Sequence, residues 1–112
     1  AVNAAVLAEA VRTAKAAGLD RDAFLEVAAG SAGASAMLSL KGALMFDERF
    51  EPPLFKLEHM LKDVRHMLDE AEALGVQLRL PELAEGFYAR AAEAGHGEQD
   101  FAAVYTAVDG QA

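Results

Sequence analysis

The side chains in this chain that are best placed for chemistry lie on one short stretch. Phe55, His59, Lys62 and His66 are spaced by four, three and four residues, which predicts a single stripe on one helix. Asp63 and Glu58 border that stripe. Three readings fit these residue types. The plainest is a solvated face in which Glu58 pairs with Lys62 and His59 with Asp63. The second is a metal site from His59, Asp63 and His66, which would need further ligands from elsewhere in the fold. The third is a ligand-binding face, with the Lys62 ammonium against an anionic or carbonyl group and the Phe55 ring walling the pocket.

The rest of the chain supplies no complete catalytic apparatus. Without cysteine, thiolate metal sites, disulfides and a cysteine nucleophile are excluded, and a reducing, intracellular setting is expected. Gly30 and Gly33 come nearest to a dinucleotide fingerprint, but they follow a helical pattern rather than a strand. There is no P-loop and no H-E-x-x-H. Ser31, Ser35 and Ser39 have no nucleophile context. The net charge of −8 disfavours nucleic acid and anionic membrane surfaces as partners. No run approaches the roughly 18 apolar residues that span a bilayer.

The elements that must carry the stripe are legible from periodicity. Val2, Val6, Leu7, Ala10, Val11 and Ala14 predict a helix over 1–17 with Gly18 as its stop. Asp20 caps a second helix with Ala23, Phe24, Val27 and Ala28 on its apolar side. A small-residue loop spans 30–35, and a shorter helix runs from about Ala36 to Leu44. Pro52 and Pro53 make 45–54 irregular. Phe55 to Leu74 carries the strongest signal, with Leu57, Met60, Leu61, Val64, Leu68 and Ala71 on one side and Gly75 at the end. Pro81 starts the next helix, which ends at Gly95, and a last helix runs from about Glu98 to Val108. Val76 to Leu80 alternates but is short and unpartnered, so an extended connector is expected. The expected fold is all-α: about six helices, no sheet, in one domain over 1–112. The helical pattern runs from residue 1 without a cap, so a part upstream of Ala1 is expected.

In combination these motifs resemble a known family. Residues 55–104 hold F-x6-K-D, then A-x-x-L-G-V-x-L-x-L, then Y-x-x-A-x-x-x-G-x-G-x-x-D-F-x-A-V. They look like the C-terminal helical domain of the β-hydroxyacid dehydrogenases, the group that includes 3-hydroxyisobutyrate dehydrogenase and tartronate semialdehyde reductase. LAEAVRTAKAAGLD and SAGASAML resemble the same domain, so the likeness covers nearly the whole chain. The fold it implies is that of the 6-phosphogluconate dehydrogenase C-terminal domain.

In such enzymes a separate N-terminal Rossmann domain holds NAD or NADP. If Glu9 matches the family's glutamate, the catalytic lysine falls upstream of Ala1, so no catalytic residue is expected in this chain. Lys15 is a poor substitute, at the far end of its helix. The resemblance implies that Lys62 contacts the cofactor, that Phe55 lines the substrate cleft, and that Asp63 orients its neighbours there. It assigns no role to His59 or His66, which are expected to be surface residues, and no metal.

The implied function is the substrate-binding and dimerisation half of a cytoplasmic NAD(P)-dependent oxidoreductase. Its substrate would be a small β-hydroxy acid or semialdehyde and its state a homodimer or higher homo-oligomer. The alternatives are a free-standing helical dimerisation module, favoured by the alanine-rich first helix, and an imine-reductase-like relative.

Overall fold

A computed structural model describes residues 1–108. It holds five α-helices: α1 (Val2–Ala16), α2 (Arg21–Ala29), α3 (Ala36–Phe46), α4 (Leu57–Ala73) and α5 (Arg79–Ala91). A π turn (Ala92–His96) and a 3₁₀ helix (Phe101–Ala107) close the chain. Among the described residues there is no strand, only an isolated antiparallel bridge between Lys56 and Asp100. The all-α expectation and the number of helices hold.

The ends of the helices follow from local chemistry. Asp20 accepts the Ala23 N–H at 3.0 Å and Ser35 accepts the Leu38 N–H at 3.1 Å, so α2 and α3 start on side-chain caps. Gly18 and Gly75 take positive φ after α1 and α4. At each stop two further N–H groups turn back onto the last helical carbonyls: Gly18 to Lys15 and Leu19 to Ala14, Gly75 to Glu72 and Val76 to Ala71. Glu48 ends α3 in the same way although it is not glycine, and its carboxylate holds Lys15 at 3.0 Å.

The helix α3 runs two residues past its expected end, to Phe46, α5 gives way to the π turn at Ala92, and three starts also differ from expectation. The helix α4 begins at Leu57, so Phe55 sits in the loop before it rather than on it. The helix α5 begins at Arg79, which shortens the connector to 76–78 and puts Pro81 inside the first turn, where a missing N–H leaves no helical bond unmade. The last helix is 3₁₀ and starts at Phe101, because Asp100 caps it by accepting the Ala102 N–H.

The core is built around α1. Ala4, Ala8 and Val11 are fully buried, and such small side chains let α3, α5 and the 3₁₀ helix approach closely. The small-residue surface that sequence reading offered to a second chain is therefore largely used within this one. Leu57, Leu61, Val64 and Ala71 of α4, and Ala84, Tyr88 and Ala91 of α5, complete the interior with Phe101 to Tyr105. The helix α2 has no buried residue and lies outermost against α3. Gly42 permits that contact: a Cβ there would stand 3.0 Å from Leu25 Cδ2.

Candidate functional site

The apolar side of α4 faces inward and its polar side faces out. Leu57, Leu61 and Val64 are buried, while His59, Lys62, Asp63 and His66 are exposed. Lys62 follows His59 by three residues and Asp63 by four, so both lie one turn along from the imidazole. Neither of the pairs expected on a plain solvated face, Glu58–Lys62 and His59–Asp63, forms among the described residues. No group of three His, Asp or Glu is arranged to hold a metal among the described residues.

Phe55 joins this face from the loop. Its ring meets His59 edge-on with centroids 5.9 Å apart, and it meets Phe101 edge-on at 6.2 Å. It remains 38% exposed, so one side of a large ring looks outward beside the first turn of α4. The structure thus brings Phe55 and His59 together with the Lys62–Asp63 turn next to them, although Phe55 gets there off the helix.

Two stretches of main chain fix this corner. Phe50 O accepts the Asp100 N–H at 2.8 Å, and Phe55 O accepts the Phe101 N–H at 2.9 Å. Leu57 N–H donates to Gln99 O at 2.8 Å and Glu58 N–H to Gly97 O at 2.9 Å. The loop and the start of α4 are therefore sewn along 97–101.

Sequence reading missed a buried ion pair behind the same corner. Lys41 Nζ lies 2.9 Å from Asp100 Oδ2, with both side chains almost wholly buried. Burial alone would push the Asp100 carboxyl up. The Ala102 N–H, the Lys41 ammonium and the Leu54 N–H outweigh it, and the carboxyl titrates below the ordinary aspartate value. A signal was present: Lys41 falls in the buried stripe Leu38, Lys41, Gly42, Met45, where the helical pattern wants an apolar residue. Asp100, just before an apolar run, reads as a cap.

Cavities of about 310–390 Å³ lie elsewhere: at the C-terminal end of α4, along α2, and between α1 and α2. The α4 face is open, not enclosed. For a dinucleotide it offers the exposed ammonium of Lys62 and the exposed rings of Phe55, His59 and His66. This donor set fits an edge contact to an anionic or carbonyl group; it contains no glycine-rich strand-to-helix turn that would wrap a pyrophosphate. The class these features define is an all-helical domain with an open cationic and aromatic face.

Comparisons with known proteins give the family of this fold. Residues 1–108 match the family model described as the NAD-binding domain of NADP-dependent 3-hydroxyisobutyrate dehydrogenase, and the chain belongs to that family. It is 36% identical over 87 residues to an uncharacterized oxidoreductase, YfjR, of Bacillus subtilis, matching 78% of this chain and 30% of the relative. It is 33% identical over 104 residues to the chloroplastic glyoxylate/succinic semialdehyde reductase 2 of Arabidopsis thaliana, matching 93% of this chain and 29% of that protein. The crystal structure of 3-hydroxyisobutyrate dehydrogenase from Salmonella typhimurium superposes with a TM-score of 0.88 at 30% identity, over 94% of this chain and 36% of the enzyme. The chain spans about a third of the length of these relatives.

Membership settles the broad class: an oxidoreductase family that uses NAD or NADP. No helix among the described residues is long and apolar enough to cross a membrane.

Proposed function

We propose that this chain is the helical half of an NAD(P)-dependent oxidoreductase that interconverts a small β-hydroxy acid and its carbonyl form, and that a nucleotide-binding domain closes over the α4 face. The observation that carries this reading is an exposed Lys62 one turn beyond His59, whose ring meets the exposed Phe55 ring, on the outer side of a helix whose inner side is buried. The names of the relatives, a 3-hydroxyisobutyrate dehydrogenase and a semialdehyde reductase among them, support the substrate class.

In this scheme Lys62 contacts the cofactor with its ammonium, and Phe55 walls the substrate cleft. Asp63 orients the groups around it, and its carboxylate would accept from a substrate hydroxyl or from a neighbouring donor. The nicotinamide, when bound, supplies the hydride chemistry. No side chain here is assigned the general acid/base step, which belongs to a lysine of the other half. The chain works in the cytoplasm and pairs with a second copy, and light scattering reads that pairing.

The test is steady-state kinetics of the full-length enzyme. Lys62→Ala should raise KM for NAD(P)H about tenfold, the equivalent of about 1.4 kcal/mol, and Phe55→Ala should raise KM for the hydroxy acid. The 112-residue chain titrated alone with NADPH should show little binding. Tight binding to it, or wild-type constants in both variants, would sink the proposal.

A further inference from the structure

Behind the exposed stripe, the Lys41–Asp100 pair is left without a task by the proposed function. The two residues lie 59 positions apart, one on α3 and one at the head of the 3₁₀ helix. Asp100 Oδ2 accepts from Lys41 Nζ at 2.9 Å, from the Leu54 N–H at 3.0 Å and from the Phe55 N–H at 3.4 Å. Its Oδ1 accepts the Ala102 N–H at 2.9 Å. Lys41 Nζ also stands 4.5 Å from the centre of the Phe101 ring, and Phe101 packs edge-on against Phe55. Two routes therefore run from Lys41 to Phe55, one through the carboxylate to its backbone and one through a ring to its side chain.

Stability alone gives weak grounds for such a pair. Apolar side chains of similar volume commonly replace a buried ion pair at no loss, because desolvating two charges offsets most of their attraction. The position of Lys41 in an apolar stripe would accept them. What apolar residues could not do is receive the N–H groups of Leu54 and Phe55. Those are the first two N–H groups after Pro52 and Pro53, which have none to offer, so the carboxylate anchors the loop where its own main chain has least to bond with.

We propose that Lys41 and Asp100 are positioning residues that hold the Leu54–Phe55 backbone, and with it the Phe55 ring, against the first turn of α4. As a statement about function this rests on the reading of Phe55 as the wall of the substrate cleft. Lys41 keeps Asp100 ionised and aimed; Asp100 fixes the loop; Phe101, held under the ammonium, sets the angle of the Phe55 ring. Asp100→Asn cannot satisfy both ends, because one of its two carboxylate acceptors becomes a donor.

The experiment uses the full-length enzyme with labelled histidine and compares Lys41→Met, Asp100→Asn and Phe55→Ala. One readout is the ring signals of His59, which sense the Phe55 ring 5.9 Å away. The other is KM and kcat for the hydroxy acid. Lys41→Met and Asp100→Asn should move the His59 signals toward their values in Phe55→Ala and raise KM several-fold, with Lys41→Arg recovering part of both. Folded variants with wild-type His59 signals and wild-type KM would overturn the proposal. Should Lys41→Met fail to fold, Lys41→Met/Asp100→Leu refills the space with apolar side chains and gives the same comparison. If Phe55→Ala itself leaves KM and kcat unchanged while the His59 signals still respond to Lys41→Met, the cleft reading falls alone and the geometric claim stands.

Discussion

The corner where loop 50–56 meets 97–102 and the outer helix α2 are held in opposite ways. The corner is fastened by long-range main-chain bonds and a buried charge pair, around a ring that stays partly exposed. The helix α2 has no buried residue and carries an open apolar groove of about 390 Å³ lined by Leu19, Phe24 and Val27 among others. It is held by its own cap, by Arg21 bonded to both carboxylate oxygens of Asp47, and by Phe24 against Phe46. Polar bonding beneath the candidate site reaches across the chain, as it also does where Arg12 donates to Tyr105 O and Tyr88 to Ala1 O, while α2 rests mainly on local bonds and bonds to one neighbour. The difference separates a part whose geometry rests on bonds from several elements from a part that rests on one neighbour.

The largest expected effect lies at the corner. Lys41→Met leaves a buried carboxylate without its cation and should cost about 3–5 kcal/mol, read from the urea midpoint. A loss under about 1 kcal/mol would erase the contrast between the two regions.

Acid should weaken the corner next. The Asp100 carboxyl titrates below the ordinary value of 3.8, so its contribution is complete above that value and is lost as pH falls through the lower, folded one. Asp47 is also lowered, by its hydrogen bond to Arg21, but is more exposed. Stability measured from pH 5 downward should therefore fall less steeply in Asp100→Asn than in the parent chain. Equal slopes would assign the acid loss to other groups.

On α2 the effects should shrink. Asp20→Ala removes the cap and should cost about 1 kcal/mol, read by the same denaturation. Val27→Ser, at a side chain 73% exposed, should change stability by no more than about 0.5 kcal/mol. A larger loss would mean that the α2 groove is covered in solution, which light scattering would then detect as association.

Much of this contrast could be read in advance where the signal was local. Asp20, Gly18 and Gly75 sit where capping rules put them, and the α4 stripe divided into inner and outer faces as its period required. The apolar spacing of α2 suggested a buried side that the fold does not supply, because Phe24 is only half-buried and Val27 has nothing over it. Periodicity reports which way a helix would face, not whether a partner arrives. Lys41 and Asp100 lay beyond local reading for a related reason: Lys41 is a charge in an apolar stripe and Asp100 reads as a cap, but their meeting depends on how α3 and the 3₁₀ helix pack. Phe55 was placed on the stripe by counting, and the helix starts two residues later because the backbone there turns to bond with 97–101.

That turn has an electrostatic consequence. The opening of an α-helix usually leaves amide hydrogens free to receive a phosphate or carboxylate. At α4 the Leu57 and Glu58 amides are given to Gln99 and Gly97, and the His59 and Met60 amides to Lys56. With these amides engaged, the proposed anion contact would fall to the exposed Lys62 ammonium one turn further along, and its affinity should fall with added salt.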